Sequence, residues 1–223
     1  DGAVDAGAMY LMFLNASGAV GAIVKISNAA GGGPSLNTKA FFGVSCASIG
    51  DSTGNGVDEL AVGSWGMFQH MAGSVYLLYP DSSGTVSSYI RIGKHAPGAP
   101  ALADWDGFGT SVAGVGDVGG DGNDDLAVGA RLTDTGSGVD QGAVYVLHLN
   151  ASGHTTGFSE IRANGSLGLP LDSGDMFASS MAGIGDWDGD GVVDLAVGAP
   201  RDDDDGSSKV RRQLEQESPP QCH

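Results

Sequence analysis

The chain has 223 residues, 41% of them hydrophobic, enough for a packed core in one domain or two. Its 39 glycines and only 17% charged residues argue against a helical fold and for many short strands joined by tight turns. Asp and Glu outnumber Lys and Arg by 27 to 10, and a formal net charge of −17 disfavours nucleic acid and anionic membrane as partners and favours cations.

In chain order, Gly7-Ala8-Met9-Tyr10 opens an apolar strand, Asn15-Ala16-Ser17-Gly18 is a turn, and Ile23–Ser27 is a second strand. Phe42-Gly43-Val44-Ser45 begins a longer unit, which passes through Gly50-Asp51 to Glu59-Leu60-Ala61-Val62-Gly63. It continues with Gly73-Ser74-Val75-Tyr76, the turn Asp81-Ser82-Ser83-Gly84 and a strand over Ser88–Ile92. The unit restarts at Phe108-Gly109-Thr110-Ser111 and runs through Gly116-Asp117, Asp125-Leu126-Ala127-Val128-Gly129-Ala130 and Gly142-Ala143-Val144-Tyr145. It closes with the turn Asn150-Ala151-Ser152-Gly153 and a strand over Phe158–Ala163. A third start, Phe177-Ala178-Ser179-Ser180, leads through Gly185-Asp186 to Asp194-Leu195-Ala196-Val197-Gly198-Ala199-Pro200. The Phe starts step by 66 and then 69 residues, and the Gly-x-x-Tyr elements step by the same amounts, so two independent registers agree on one repeat.

Each repeat reads as four short strands without helical periodicity, which is what a propeller blade requires: blades stack face to face and bury each other's apolar faces. The expected fold is all-β, a partial β-propeller of four-stranded antiparallel blades. It has a half blade at 1–27, complete blades at 42–93 and 108–163, and a half blade at 177–205. The composition changes after the acidic run, and residues 206–223 are expected to be a disordered tail.

The pattern resembles the FG-GAP repeat of the integrin α-subunit propeller, a family named for its Phe-Gly and Gly-Ala-Pro signatures. Gly198-Ala199-Pro200 is intact where Phe-Gly has become Phe177-Ala178, whereas the earlier copies keep Phe-Gly and read Gly63-Ser64-Trp65 and Gly129-Ala130-Arg131. The resemblance covers about residues 1–205 and implies a seven-bladed parent, with calcium loops between the first and second strands of certain blades. It places protein ligands on the opposite face. The chain is too short for that closure and is expected to be an excised or truncated segment; no leader or membrane span is read in it.

The loops after each first strand have the oxygen spacing that a hard cation of calcium's size needs. Asp186, Asp188, Asp190 and Asp194 hold loop positions 1, 3, 5 and 9, with Gly191 at position 6 and the Val192 carbonyl at position 7. The second loop has Asp117, Asp121 and Asp125 at 1, 5 and 9 and the Asn123 carbonyl at 7, while Gly119 leaves position 3 to water. The first has Asp51, Thr53, Asn55 and Glu59, with the Val57 carbonyl at 7. An EF-hand would need a carboxylate at position 12, which in the third loop is Val197. Asp104-Trp105-Asp106-Gly107 imitates a loop start, but Phe108 stands where the third oxygen would be, so this stretch is read as a turn.

Asn15, Asn150 and Asn164 each begin an Asn-x-Ser sequon, which is also ordinary turn chemistry. Cys46 aligns with Val112 and Met181 and is expected to be a buried apolar residue. The five histidines, His70, His95, His148, His154 and His223, show no metal spacing and no triad. No catalytic constellation emerges. The expected role is non-catalytic recognition or adhesion outside the cell. Calcium would stiffen one face, and the loops Trp65–Ala72 and Arg131–Gln141, with Met67 and Phe68 exposed, would meet a protein or glycan ligand. The competing expectations are the non-catalytic propeller of a secreted phospholipase-like or polysaccharide-acting enzyme, and a sugar-binding propeller.

Overall fold

A computed structural model describes residues 3–203 apart from 29, 67–71, 137, 164 and 166–168. The tail 206–223, Met67, Phe68 and the Asn164 sequon therefore lie outside the described residues. The described elements are strands only, and no helix among them is long and apolar enough to cross a membrane.

Among the described residues twelve strands form four antiparallel sheets. β1 (Ala8–Leu14) pairs with β2 (Val20–Ser27). β3 (Phe42–Ser48), β4 (Leu60–Ser64), β5 (Ser74–Pro80) and β6 (Val86–Gly93) make a four-stranded meander in that order. β7 (Phe108–Gly116), β8 (Asp125–Ala130), β9 (Ala143–Leu149) and β10 (Thr155–Arg162) repeat it, and β11 (Ser180–Gly183) pairs with β12 (Leu195–Gly198). The register also repeats: Leu60 faces Leu78 across β4 and β5 as Leu126 faces Leu147 across β8 and β9. This is the partial propeller of two complete and two half blades expected from the repeat.

The core lies between the sheets. One apolar cluster joins the two complete blades around Leu77, Phe108, Leu126 and Leu147; a second packs β1 and β2 on the first complete blade; a third packs the second complete blade on β11 and β12. β8 is buried at every residue because both of its faces meet a neighbouring blade. It is accordingly apolar throughout after its first residue and shows no period of two. The outer strands β6 and β10 are mixed because they close the blade against solvent.

The Phe-Gly-x-Ser motif is what joins blade to blade. The amides of Phe42, Phe108 and Phe177 donate to the carbonyls of Ala6, Ala72 and Gln141 at 2.9, 2.8 and 2.9 Å, so the start of each repeat is tied to the residues that lead into β1, β5 and β9 of the sheet before it. The Ser45 hydroxyl donates to Gly109 O at 2.9 Å and Ser111 to Ala178 O at 2.7 Å, the same bond one blade further on. Gly109 has φ +90, and a Cβ there would stand 2.4 Å from the Ser74 carbonyl oxygen, so the motif's glycine allows the two backbones to touch. The third copy carries Ala178 at φ +67, and its strand starts only at Ser180.

Cys46 departs from expectation. It is exposed, as is Val44, whereas the aligned Val112 is 5% exposed. Val112 lies under the first complete blade, but the sheet before β3 contributes only β1 and β2, which correspond to a blade's outer pair. Among the described residues no inner strand covers that face of β3.

Candidate metal loops

Each candidate loop connects the first two strands of a sheet: residues 49–59 between β3 and β4, 117–124 between β7 and β8, and 184–194 between β11 and β12. The local fold follows one rule three times. The carboxylate at position 1 turns back over the loop and accepts the amides of positions 5 and 6. Asp51 takes Asn55 N at 3.0 Å and Gly56 N at 2.7 Å; Asp117 takes Asp121 N at 3.0 Å and Gly122 N at 2.9 Å; Asp186 takes Asp190 N and Gly191 N, both at 3.0 Å. The position 5 side chain accepts the position 7 amide, at 2.7 Å from Val57 to Asn55, 2.9 Å from Asn123 to Asp121 and 2.8 Å from Val192 to Asp190. Glycines at positions 4 and 6 all have positive φ, from +70 to +92, which the tight winding needs and which L side chains adopt rarely.

Position 9 closes the loop at the entry to the second strand. Glu59 accepts Ser52 N at 2.6 Å and the Thr53 hydroxyl at 2.9 Å; Asp125 accepts Val118 N at 3.2 Å; Asp194 accepts Trp187 N at 2.7 Å. Glu59 and Asp125 are 1% and 2% exposed, a burial that carboxylates tolerate only when their oxygens are occupied. Asp125 also accepts Leu149 N at 2.9 Å, and His148 Nδ1 lies 3.2 Å from its second oxygen. His148 was not marked by any spacing in the sequence, because it reaches Asp125 from β9, across the sheet.

The third loop brings carboxylates together most closely. Oxygens of Asp186, Asp188 and Asp194 lie within 4.8 Å of one another. Ligands on one calcium ion at 2.3–2.6 Å are at most about 5 Å apart, so the spacing of this trio is compatible with a shared ion. Asp190 bonds Val192 N and is not part of the trio. Among the described residues the other two loops present no such trio of acids: Gly119 removes one from the second, and in the first Thr53 and Asn55 stand where Asp188 and Asp190 stand in the third.

The loops also feel each other. Asp124 lies against Gly50 of the preceding blade, where a Cβ would meet its Oδ2. Its carboxyl is held above the usual range, first by burial and then by the charges of Asp117, Asp125, Asp58 and Glu59. Asp51 is held below that range, chiefly by the Gly56 amide.

The second complete blade matches the FG-GAP repeat family over residues 108–147. Over 98 residues, 44% of its length, the chain is 47% identical to human integrin alpha-7, and over 93 residues, 42% of its length, 43% identical to Drosophila melanogaster integrin alpha-PS5. Over 173 residues, 76% of the chain, it is 34% identical to human integrin alpha-6. This is an FG-GAP repeat protein of the integrin α type. The chain spans only 8% of the length of integrin alpha-7 and 14% of integrin alpha-6. The Phe-Gly and loop elements of the FG-GAP repeat are the same ones that hold blade to blade and shape the acidic turns.

Proposed function

We propose that residues 1–205 are an integrin α-like propeller segment, with a half blade at 1–27, blades at 42–93 and 108–163 and a half blade at 177–205, whose inter-strand loops bind calcium. The segment acts as a non-catalytic recognition or adhesion module at the cell exterior, as part of a larger protein. The observation that carries this is the threefold recurrence of one loop geometry, ending in the Asp186, Asp188 and Asp194 trio, in a chain whose relatives are integrin α subunits.

In this reading Asp186, Asp188 and Asp194 hold the ion of the third loop, with Asp190 and the Val192 carbonyl completing the shell. Asp117, Asp121, Asp125 and the Asn123 carbonyl serve the second loop; Asp51, Thr53, Asn55, Glu59 and the Val57 carbonyl serve the first. The metal's role is structural: it replaces carboxylate repulsion by attraction at a turn that joins two strands. Extracellular calcium modules bind at about 10⁻⁴ to 10⁻³ M, and tenfold excess over Kd stabilises the folded chain by about 1.4 kcal/mol. A protein or glycan ligand would meet the loops at the other end of the strands.

The test is a calcium titration by calorimetry beside thermal melts with calcium and with chelator. One to three saturable sites and a higher Tm with calcium support the proposal. A folded chain that takes up no calcium sinks it.

A further inference from the structure

The two half blades are opposite halves of one repeat. β11 and β12 correspond to its first and second strands, β1 and β2 to its third and fourth. In the complete blades the second strand pairs with the third, β4 with β5 and β8 with β9. Among the described residues no strand pairs with the matching edge of β12 or of β1. The repeat says what each edge is shaped to meet. Leu60 faces Leu78 and Leu126 faces Leu147, so in the same register Leu195 of β12 takes Met12 of a β1 strand, Val197 takes Tyr10 and Gly198 takes Met9.

The side chains at the two edges complement each other in the same way. In each complete blade the motif Phe packs on the Tyr of the third strand, Phe42 on Tyr76 with ring centroids 5.5 Å apart and Phe108 on Tyr145 at 5.9 Å, and all four are buried. Of the half blades, one holds the Phe, Phe177, only half-buried, and the other holds the Tyr, Tyr10, which is 53% exposed. Asp125 accepts Leu149 N from the third strand at 2.9 Å, and the same places are held by Asp194 on one half and Leu14 on the other. The Ser45 and Ser111 hydroxyls each reach the carbonyl after the next motif Phe; Ser180 stands exposed at that place on β11, and the carbonyl left to match it is that of Gly43. The sheet faces agree. Ala196 of β12 is exposed where its counterparts Ala61 and Ala127 are fully buried, and Val44 and Cys46 of β3 are exposed where the inner strands of a preceding blade would lie.

We propose that a second copy of this chain occupies both edges: β12 of each copy pairs antiparallel with β1 of the other, and every pair of opposite halves becomes a complete four-stranded blade. An open strand edge beside an uncovered apolar face is a template for another strand, and a second copy supplies that strand in matching register. Each copy carries two complete blades and two opposite halves, so two copies joined at both ends make six blades, within the range of about 4–8 over which propellers close. The two junctions are identical and related by a twofold axis, and their closure leaves no edge for a third copy. This pairing rests on strand edges and buried side chains, not on calcium. The net charge of −17 on each copy opposes it, so it strengthens with salt.

The test is sedimentation equilibrium of the full chain in about 0.5 M salt, which screens the acidic loops whether or not they hold calcium. The expected mass is twice 22.3 kDa in concentrated solution, falling to that of one copy on dilution. Alkylation of Cys46, followed by mass spectrometry of its peptide, should slow at least about tenfold as the dimer forms, because the reconstituted blade covers β3. Met12→Glu and Ala196→Glu alter side chains that are exposed in the single chain, so each keeps the strand signal in circular dichroism. Each should abolish the dimer and restore fast alkylation, since every junction needs one β1 and one β12. A chain that stays monomeric at all concentrations, a dimer whose Cys46 reacts at the monomer's rate, a dimer that survives either substitution, or a mass that rises beyond two copies would each overturn the proposal.

Discussion

Single side chains carry more here than their size suggests, because they act where backbones touch or charges crowd. Asp186 accepts three loop amides and belongs to the carboxylate trio, so Asp186→Ala should both abolish calcium uptake at the third loop and loosen that turn without metal. Calorimetry in calcium and amide exchange in chelator would separate the two effects. Gly109→Ala should destabilise the chain by about 2–3 kcal/mol in urea unfolding, since the new Cβ meets the Ser74 carbonyl and φ is +90. Asp106 gives a pH dependence of definite sign. Its folded pKa, about 6, is raised by burial above an unfolded value near 3.8, so the folded state binds the proton more tightly. The stability this brings is fully present below about pH 3.8 and is lost as pH rises through 6. The urea midpoint should therefore rise from pH 7 to pH 5, and Asp106→Asn should remove most of that rise.

At the scale of the strand, position in the repeat matters less than what lies on either side. Leu147 of β9 is fully buried in the cluster between the complete blades, while Met12 of β1, two residues past its tyrosine just as Leu147 is, is 57% exposed. Leu147→Ala should cost about 2–5 kcal/mol and Met12→Ala a few tenths, both read from urea midpoints of the dilute chain at constant m. Cys46 illustrates the same point from the first strand. Its alignment with Val112 suggested burial, yet it stands exposed, so in the dilute chain a native-state alkylating reagent should modify it as fast as in the unfolded chain. The peptide containing Cys46, followed by mass spectrometry, provides the readout.

For the whole molecule the governing quantities are the charge of −17 and the crowding of acidic side chains within the three inter-strand loops. Asp124 stands against Gly50 of the preceding blade and responds to charges in both of the first two loops. Repulsion thus acts between blades as well as within a loop. In chelator, raising salt from low to molar concentration should raise Tm by screening these charges, and saturating calcium should make that salt effect smaller.

The repeat, the all-β class and the strand order were legible in the sequence, because a period of 66 to 69 residues with Phe-Gly at one phase and Gly-x-x-Tyr at another leaves few alternatives to stacked blades. The tight winding of the loops was legible too, since acidic and amide side chains at alternate positions on a glycine turn are a local pattern. Tertiary structure decided everything that depends on a neighbouring strand or sheet. It set Cys46 in solvent, brought His148 to Asp125 from 23 residues away, and distinguished the third loop, whose acids converge, from the first two. The physical reason is common to all of these: local spacing determines which atoms can turn toward one another within a loop, whereas burial and charge balance depend on which blade stands next.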